Sequence, residues 1–194
     1  DNVLSDFINK APDQFKDAKY SAERERSVGL GVMGFHSFLQ KKRIPLESVM
    51  AKSWNKKIFS QIDKQVNQAS KDLAEERGAC PDAAEYGYKE RFSNKTAIAP
   101  TASISIICGG ASPGVEPIAA NSYTHKTLSG SFNVRNRYLE EILESHGKND
   151  DETWSTITTN QGSVSHLDFL TDLEKDVFKT AFELNQKWII ELSG

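Results

Sequence analysis

The run Ala99-Pro100-Thr101-Ala102-Ser103-Ile104-Ser105 places three hydroxyl side chains directly behind a proline. Hydroxyls and backbone N–H groups at such a turn can converge on one anion. If a helix begins there, its first-turn N–H groups and partial positive charge add to the attraction. The chemistry is phosphate binding without a lysine. On spacing alone, a Ser/Thr-rich turn more commonly does no more than cap a helix.

Two other stretches invite a similar reading. Gly29-Leu30-Gly31-Val32-Met33-Gly34 matches the dinucleotide pattern G-x-G-x-x-G. That pattern binds a pyrophosphate only where a buried strand turns into a helix inside a βαβ unit. Here Glu23 to Ser27 has the pattern of a helix and no βαβ unit follows, so the dinucleotide reading is rejected. Close packing of helices through the glycines is expected instead. The loop Gly109-Gly110-Ala111-Ser112-Pro113-Gly114-Val115-Glu116-Pro117 allows a close backbone approach to a ligand or to another element. Glu116 is either an acid within it or, more commonly for such a turn, a solvated side chain.

His36, His125, His146 and His166 share no ligand spacing, and none lies beside a Ser or Cys in a nucleophile motif. Structural or exposed roles are expected for all of them. Cys80 and Cys108 are the only cysteines. With no Cys-x-x-Cys and no histidine cluster, no metal site is expected, and the pair reads as reduced cytosolic thiols used in packing. No residue is assigned a catalytic or metal-binding role.

The elements that must position these residues are mostly helical. Val3, Leu4, Phe7 and Ile8 have helical spacing that Pro12 closes. A second helix is predicted after Ser21, with Val28, Val32, Phe35 and Leu39 on one face and Lys41, Lys42 and Arg43 at its end. The longest helix is predicted from Pro45 to about Arg77, with Met50, Trp54, Ile58, Ile62, Val66, Ala69 and Leu73 in one stripe and Gly78 as its stop. Thr96 to Pro100 reads as a short buried strand ended by proline. Ser103 to Cys108 is apolar and fits either a strand or a helix. Tyr123 to Leu128 and Ser131 to Val134 read as strands around Ser129-Gly130. Asn136 is placed to cap a helix carrying Leu139, Ile142 and Leu143, and another short helix is expected within Thr153 to Gly162. A final long helix is predicted along Leu173, Val177, Ala181, Leu184, Trp188 and Leu192.

The composition is that of an ordinary globular chain, with 38% hydrophobic and 26% charged residues and ten Phe supplying core area. A formal charge of −3 argues against broad attraction to nucleic acid or to anionic membranes. No stretch approaches the length of a membrane span, and no secretory signal opens the chain. Both ends read as cuts within a longer polypeptide. Residues 1–194 read as a single partial domain, with no internal repeat and no clear boundary.

Taken in order, several of these runs resemble one family, the large catalytic subunits of class I ribonucleotide reductases. The resemblance lies in Arg24-Glu25-Arg26-Ser27-Val28-Gly29-Leu30-Gly31-Val32-Met33-Gly34-Phe35, Glu76-Arg77-Gly78-Ala79-Cys80-Pro81 and Ala99 to Ser105. It continues through Gly114-Val115-Glu116-Pro117, Leu128-Ser129-Gly130-Ser131-Phe132 and Asn185-Gln186-Lys187-Trp188. It is collinear and covers essentially the whole chain.

The resemblance implies an α/β fold: a helix-rich fragment of the family's ten-stranded α/β barrel, with only a few short strands. It implies an oxidoreductase of the cytoplasm that makes deoxyribonucleotides for DNA replication by thiyl-radical chemistry. Thr101, Ala102, Ser103, Ile104 and Ser105 would hold the phosphates of a ribonucleoside diphosphate. The expected partners are the remainder of the large subunit and a separate small subunit carrying a di-metal radical cofactor, and self-association is a further possibility. No cofactor is expected on this piece, and neither nucleic acid nor a membrane is an expected partner.

Departures from the family pattern matter equally. The family's thiyl cysteine, reducing cysteine pair and adjacent tyrosines are absent here; Cys80 and Cys108 match loop positions instead. The isolated chain is therefore expected to be inactive. The alternative is a non-catalytic standalone or split-gene module for binding or assembly, derived from the reductase.

Overall fold

The computed structural model describes residues 1–127 and 130–193, apart from the side chain of Thr127. The chain divides into two compact units, Asp1–Gly31 with Lys56–Ala99, and Val32–Asn55 with Pro100–Gly194.

The first unit opens with α1 (Asn2–Lys10), which ends as predicted where Ala11 turns extended ahead of Pro12. A short 3-10 turn leads into α2 (Lys16–Glu25). This helix begins ahead of the predicted start at Ser21, and the run predicted to reach Lys41, Lys42 and Arg43 stops here, because Arg26 adopts a left-handed conformation (φ 45°). Its guanidinium is bound by Asp1, so a tertiary contact overrides the helical spacing.

The chain then runs extended. Val28 and Leu30 donate to the carbonyls of Asn94 and Lys95, both at 3.0 Å, and Leu30 pairs in parallel with Thr96. Gly29 and Gly31 are needed for this approach. A Cβ on either would come within 2.9 Å of Ala97, its Cβ in one case and its carbonyl oxygen in the other. The glycines thus serve the contact of two extended segments, where helix packing was expected. Thr96 to Pro100 is not the predicted buried strand: its pairing is confined to that bridge, and Ile98 is exposed.

Helix α4 (Val49–Arg77) enters this unit at Lys56 and stops at Gly78 (φ 85°), as predicted. Its predicted stripe is only partly buried, while the buried positions are Ala51, Ser70 and Ala74. Small side chains let a neighbouring backbone close in: the Ser70 hydroxyl accepts the N–H groups of Arg91 and Phe92. Helix α5 (Pro81–Glu85) follows the buried Cys80.

The second unit holds α3 (Phe35–Lys41), the first turns of α4, and α6 (Ala102–Ile107), which resolves the Ser103 to Cys108 ambiguity in favour of a helix. Strands β1 (Ser122–Thr127) and β2 (Gly130–Arg135) form the predicted antiparallel pair, in register from Ser122 opposite Arg135 to Thr127 opposite Gly130. Leu128, the end of the first predicted strand, and Ser129, from the expected turn, lie outside the described residues.

Asn136 caps α7 (Arg137–Ser145), its side chain accepting the N–H of Tyr138 as the sequence suggested. Helix α8 (Asp151–Thr159) begins at an Asp150 cap, and α9 (Asp172–Val177) at a capping box of Thr171 and Glu174. The core joins Leu139, Ile142 and Leu143 of α7 to Trp154 and Ile157 of α8, with Val164, Leu167, Leu170, Val177 and Phe178.

The long closing helix does not form. After α9 the chain turns, and α10 occupies Gln186–Ser193. The break is made by side chains that compete with the helix. Glu183 accepts from both the N–H and the hydroxyl of Thr180, while Asn185 accepts from Lys187 and donates its own N–H to Glu47.

A candidate phosphate-binding loop

Thr101 stands in the left-handed region (φ 48°) immediately before α6, and its hydroxyl oxygen accepts the N–H of Gly114 at 2.7 Å. The first intrahelical bond runs from the Ser105 N–H to the Thr101 carbonyl, 2.8 Å. By helix geometry, the N–H groups of Ala102, Ser103 and Ile104 precede that bond and have no carbonyl one turn back within the helix. The side chains of Ala102, Ser103 and Ile104 are exposed.

Ser105 is placed differently. It is buried, and its hydroxyl donates to the Ala102 carbonyl at 2.9 Å. The predicted residues therefore form one turn, with the Ser103 side chain exposed, the Thr101 hydroxyl oxygen taken by Gly114 and the Ser105 hydroxyl folded back into the helix.

The loop that follows is held against α3. Gly110 and Ala111 donate to the Ser105 carbonyl and close the end of α6, with Gly109 and Gly110 both left-handed. Ser112 is fully buried. Its carbonyl accepts the Gly34 N–H at 2.8 Å, its hydroxyl accepts the Ser37 N–H, and its own N–H donates to the Ser37 hydroxyl. Ser112 thus occupies the start of α3, the place where the glycine pattern would have needed a pyrophosphate, so the rejection of the dinucleotide reading agrees with the geometry.

Further along, the Ile118 N–H donates to His36 Nδ1 at 3.0 Å, and burial pushes that imidazole down to about 4. His36 is structural, as expected. Glu116 is exposed in a turn closed by its own N–H to the Pro113 carbonyl. Cys108 ends α6 on the surface, not in the packing role expected of it, whereas Cys80 is buried.

Ser37 was not singled out from sequence as a support of this loop, Ser112 was named only within it, and His36 was read only as structural or exposed. Ser37, Ser112 and His36 carry no spacing signal, because their bonds span about eighty positions. A Gly-Pro-rich loop with a central serine was the one visible hint.

Comparison with known proteins is decisive on ancestry. A family model described as "Ribonucleotide reductase, barrel domain" matches residues 2–91 and 82–194. The chain belongs to the ribonucleotide reductase barrel family. It is 48% identical over 195 residues to the ribonucleoside-diphosphate reductase large subunit of Invertebrate iridescent virus 6, covering 98% of this chain and 20% of that one. The corresponding protein of Invertebrate iridescent virus 3 is 45% identical over 197 residues, covering 100% and 31%. Among solved structures, the class Id ribonucleotide reductase alpha subunit of Actinobacillus ureae superposes with a TM-score of 0.89 at 38% identity, covering 98% of this chain and 35% of that one. The chain thus spans a fifth to about a third of the length of these relatives. Its helix-rich α/β fold with few strands matches part of the reductase barrel fold, as the sequence indicated. Among the described residues, no helix is long and apolar enough to cross a membrane.

Proposed function

We propose that this chain supplies the substrate-phosphate loop and part of the scaffold of a ribonucleoside-diphosphate reductase large subunit. The observation that carries the reading is the turn before α6. There the N–H groups of Ala102, Ser103 and Ile104 open a helix that begins next to Thr101, with the Ser103 side chain exposed on its first turn. Oriented N–H groups hold a phosphate without requiring a mobile cation, and the loop clasped by Ser37 and Ser112 supports them from behind. Ser105 acts by closing the turn through its N–H.

In the complete enzyme the substrate is a ribonucleoside diphosphate, reduced to the deoxyribonucleotide by a thiyl radical. The supply serves DNA replication in the cytoplasm. Both compact units belong to one barrel domain, and the chain's partners are the rest of the large subunit and a class I small subunit that carries the di-metal radical cofactor. Among the described residues, no three His, Cys, Asp or Glu side chains gather where a metal ion could sit.

The test is a calorimetric titration with CDP. Saturable binding is expected for the chain, loss of it in Ser103→Glu through like-charge repulsion, and a decrease of about three- to tenfold in Ser103→Ala. Unchanged affinity in Ser103→Glu removes the loop from the function. Formation of deoxyribonucleotide by the chain alone, with reductant and small subunit supplied, would overturn the reading that the radical chemistry lies elsewhere.

A further inference from the structure

In the first unit, three arginines from separate segments meet at one carboxylate. Arg26 follows α2, Arg77 ends α4 and Arg91 lies in the loop after α5. Asp1 Oδ1 accepts from Arg26 Nε and Nη2 at 2.8 and 2.6 Å. Asp1 Oδ2 accepts from Arg77 Nη1 at 3.1 Å and Arg91 Nη2 at 3.2 Å, and Arg91 Nε straddles both oxygens at 3.3 Å. One carboxylate is thus divided among three guanidiniums. Its two oxygens cannot give each of them the paired bonds that such a planar fork accommodates.

The charge there is not balanced at close range. The Arg26 and Arg91 side chains are nearly buried, and among the described residues Asp1 is the one carboxylate that either of them touches. Glu76 meets only Arg77, on the surface, and Glu23 acts on Arg26 without a hydrogen bond. Buried positive charge without a full complement of anions is costly, so the cluster favours a further anion. Donors remain for one. Arg26 Nη1, Arg77 Nη2 and the Ser5 hydroxyl hydrogen have no acceptor among the described residues, and Arg26 Nη1 is not closed off from solvent. Arg26 Nη2 lies 2.6 Å from both Asp1 Oδ1 and Ser5 Oγ, and Arg77 Nη1 bonds both Asp1 and Asn2, so these donors share one neighbourhood.

We propose that this cluster binds a phosphate-type dianion beside Asp1, held by Arg26, Arg77 and the Ser5 hydroxyl. A tetrahedral oxyanion brings acceptors in several directions and two negative charges, where a second carboxylate brings one plane and one charge. Free phosphate and the phosphate group of a larger molecule share this chemistry. The inference goes beyond the turn before α6 and does not depend on it.

Inorganic phosphate and AMP serve as probes at constant ionic strength, with the guanidinium Nε–H resonances of the ¹⁵N-labelled chain as the readout. Phosphate is expected to shift the Arg26 and Arg77 resonances saturably and with one affinity. The same shifts should persist in Ser103→Glu, which separates this site from the turn before α6. Arg77→Ala, a mild change at a partly exposed position, should weaken phosphate about tenfold or more, the scale of one lost charge-assisted bond. A chain acetylated on its α-amino group should bind as well as the unmodified one, because the site rests on guanidiniums. Equal affinity for phosphate and AMP identifies the free ion as sufficient, and tighter AMP identifies a nucleotide phosphate; both require the loss in Arg77→Ala. Shifts that do not saturate, or unchanged phosphate affinity in Arg77→Ala, overturn the proposal. So does binding that acetylation abolishes.

Discussion

Ser37 and Ser112 hold each other reciprocally: the backbone N–H of each donates to the other's hydroxyl, at 3.2 and 2.8 Å. Both residues are buried, so each bond replaces hydration that neither amide can recover. Ser112→Ala is expected to strand the Ser37 N–H at the start of α3 and to destabilise the second unit by about 1–3 kcal/mol. Its signature is local. Amide exchange at Ser37 should accelerate together with that of Gly34, whose N–H is held by the Ser112 carbonyl. Unaltered exchange at Ser37 in this variant would show that the clasp contributes nothing.

A second prediction concerns acid. His36 is buried and accepts the Ile118 N–H, and burial holds its imidazole at about 4 against an ordinary 6.5. The unfolded chain takes up a proton below pH 6.5, while the folded one resists until about pH 4. The unfolded state therefore binds more protons in that window, and stability falls as the pH falls through it. Between pH 7 and 5 this amounts to about 2 kcal/mol. His36→Asn retains a side-chain acceptor for Ile118 without titrating. It should lower stability at pH 7 but flatten the slope between pH 7 and 5. Parallel pH profiles for the two proteins, measured by urea unfolding, would assign the acid sensitivity elsewhere.

In the first unit, the Asp1 carboxylate is bound by Arg26 at 2.6 Å, Arg77 at 3.1 Å and Arg91 at 3.2 Å. The Asp1, Arg26 and Arg91 side chains are all nearly buried. Burial first, and then the neighbouring guanidiniums, push Arg26 and Arg91 below the ordinary arginine value, and both guanidiniums contact the Asp1 carboxylate. Removing one partner of a buried pair leaves uncompensated charge, so Asp1→Ala should cost about 3 kcal/mol or more. Arg77 is more exposed, and Arg77→Ala should cost under about 1 kcal/mol. Equal losses in the two variants would mean that the cluster is not organised around the buried pairs.

What the sequence made legible follows from the range of the forces involved. Features set within a few residues were readable: the Asn136 cap, the Gly78 stop, the β1–β2 pairing and the end of α1 ahead of Pro12. Features decided by distant partners were not. Helix spacing continues past Glu25 and past Val177, yet both helices end where a long-range contact takes over, Arg26 with Asp1 and the Phe178 carbonyl with the Asn121 amide. The turn before α6 was visible as a cluster of small hydroxyl residues, and so was the family, because ordered local motifs survive in sequence. The inward turn of the Ser105 hydroxyl and the support from Ser37 depend on how α6 and α3 pack, which local spacing does not encode.

Gly162 offers the sharpest test of crowding against backbone strain. It sits in the left-handed region (φ 81°), as does Gly147 (φ 65°). An added Cβ at Gly147 meets nothing within 4 Å, whereas at Gly162 it would lie 2.3 Å from the Ala120 Cβ and 2.8 Å from the Asn121 nitrogen. Alanine at either site incurs left-handed strain of about 1 kcal/mol. At Gly162 the backbone must also move, and the Gly162 carbonyl holds both the backbone and side-chain N–H groups of Asn121. Gly162→Ala should therefore cost about 3 kcal/mol or more, and Gly147→Ala about 1 kcal/mol. The Asn121 side-chain oxygen in turn accepts from the Asn136 amide at 2.8 Å, so Gly162→Ala alone should shift the side-chain resonances of Asn121 and Asn136. Equal urea midpoints for the two variants would mean that Ala120 yields freely and that the approach of these two segments is not what demands a glycine.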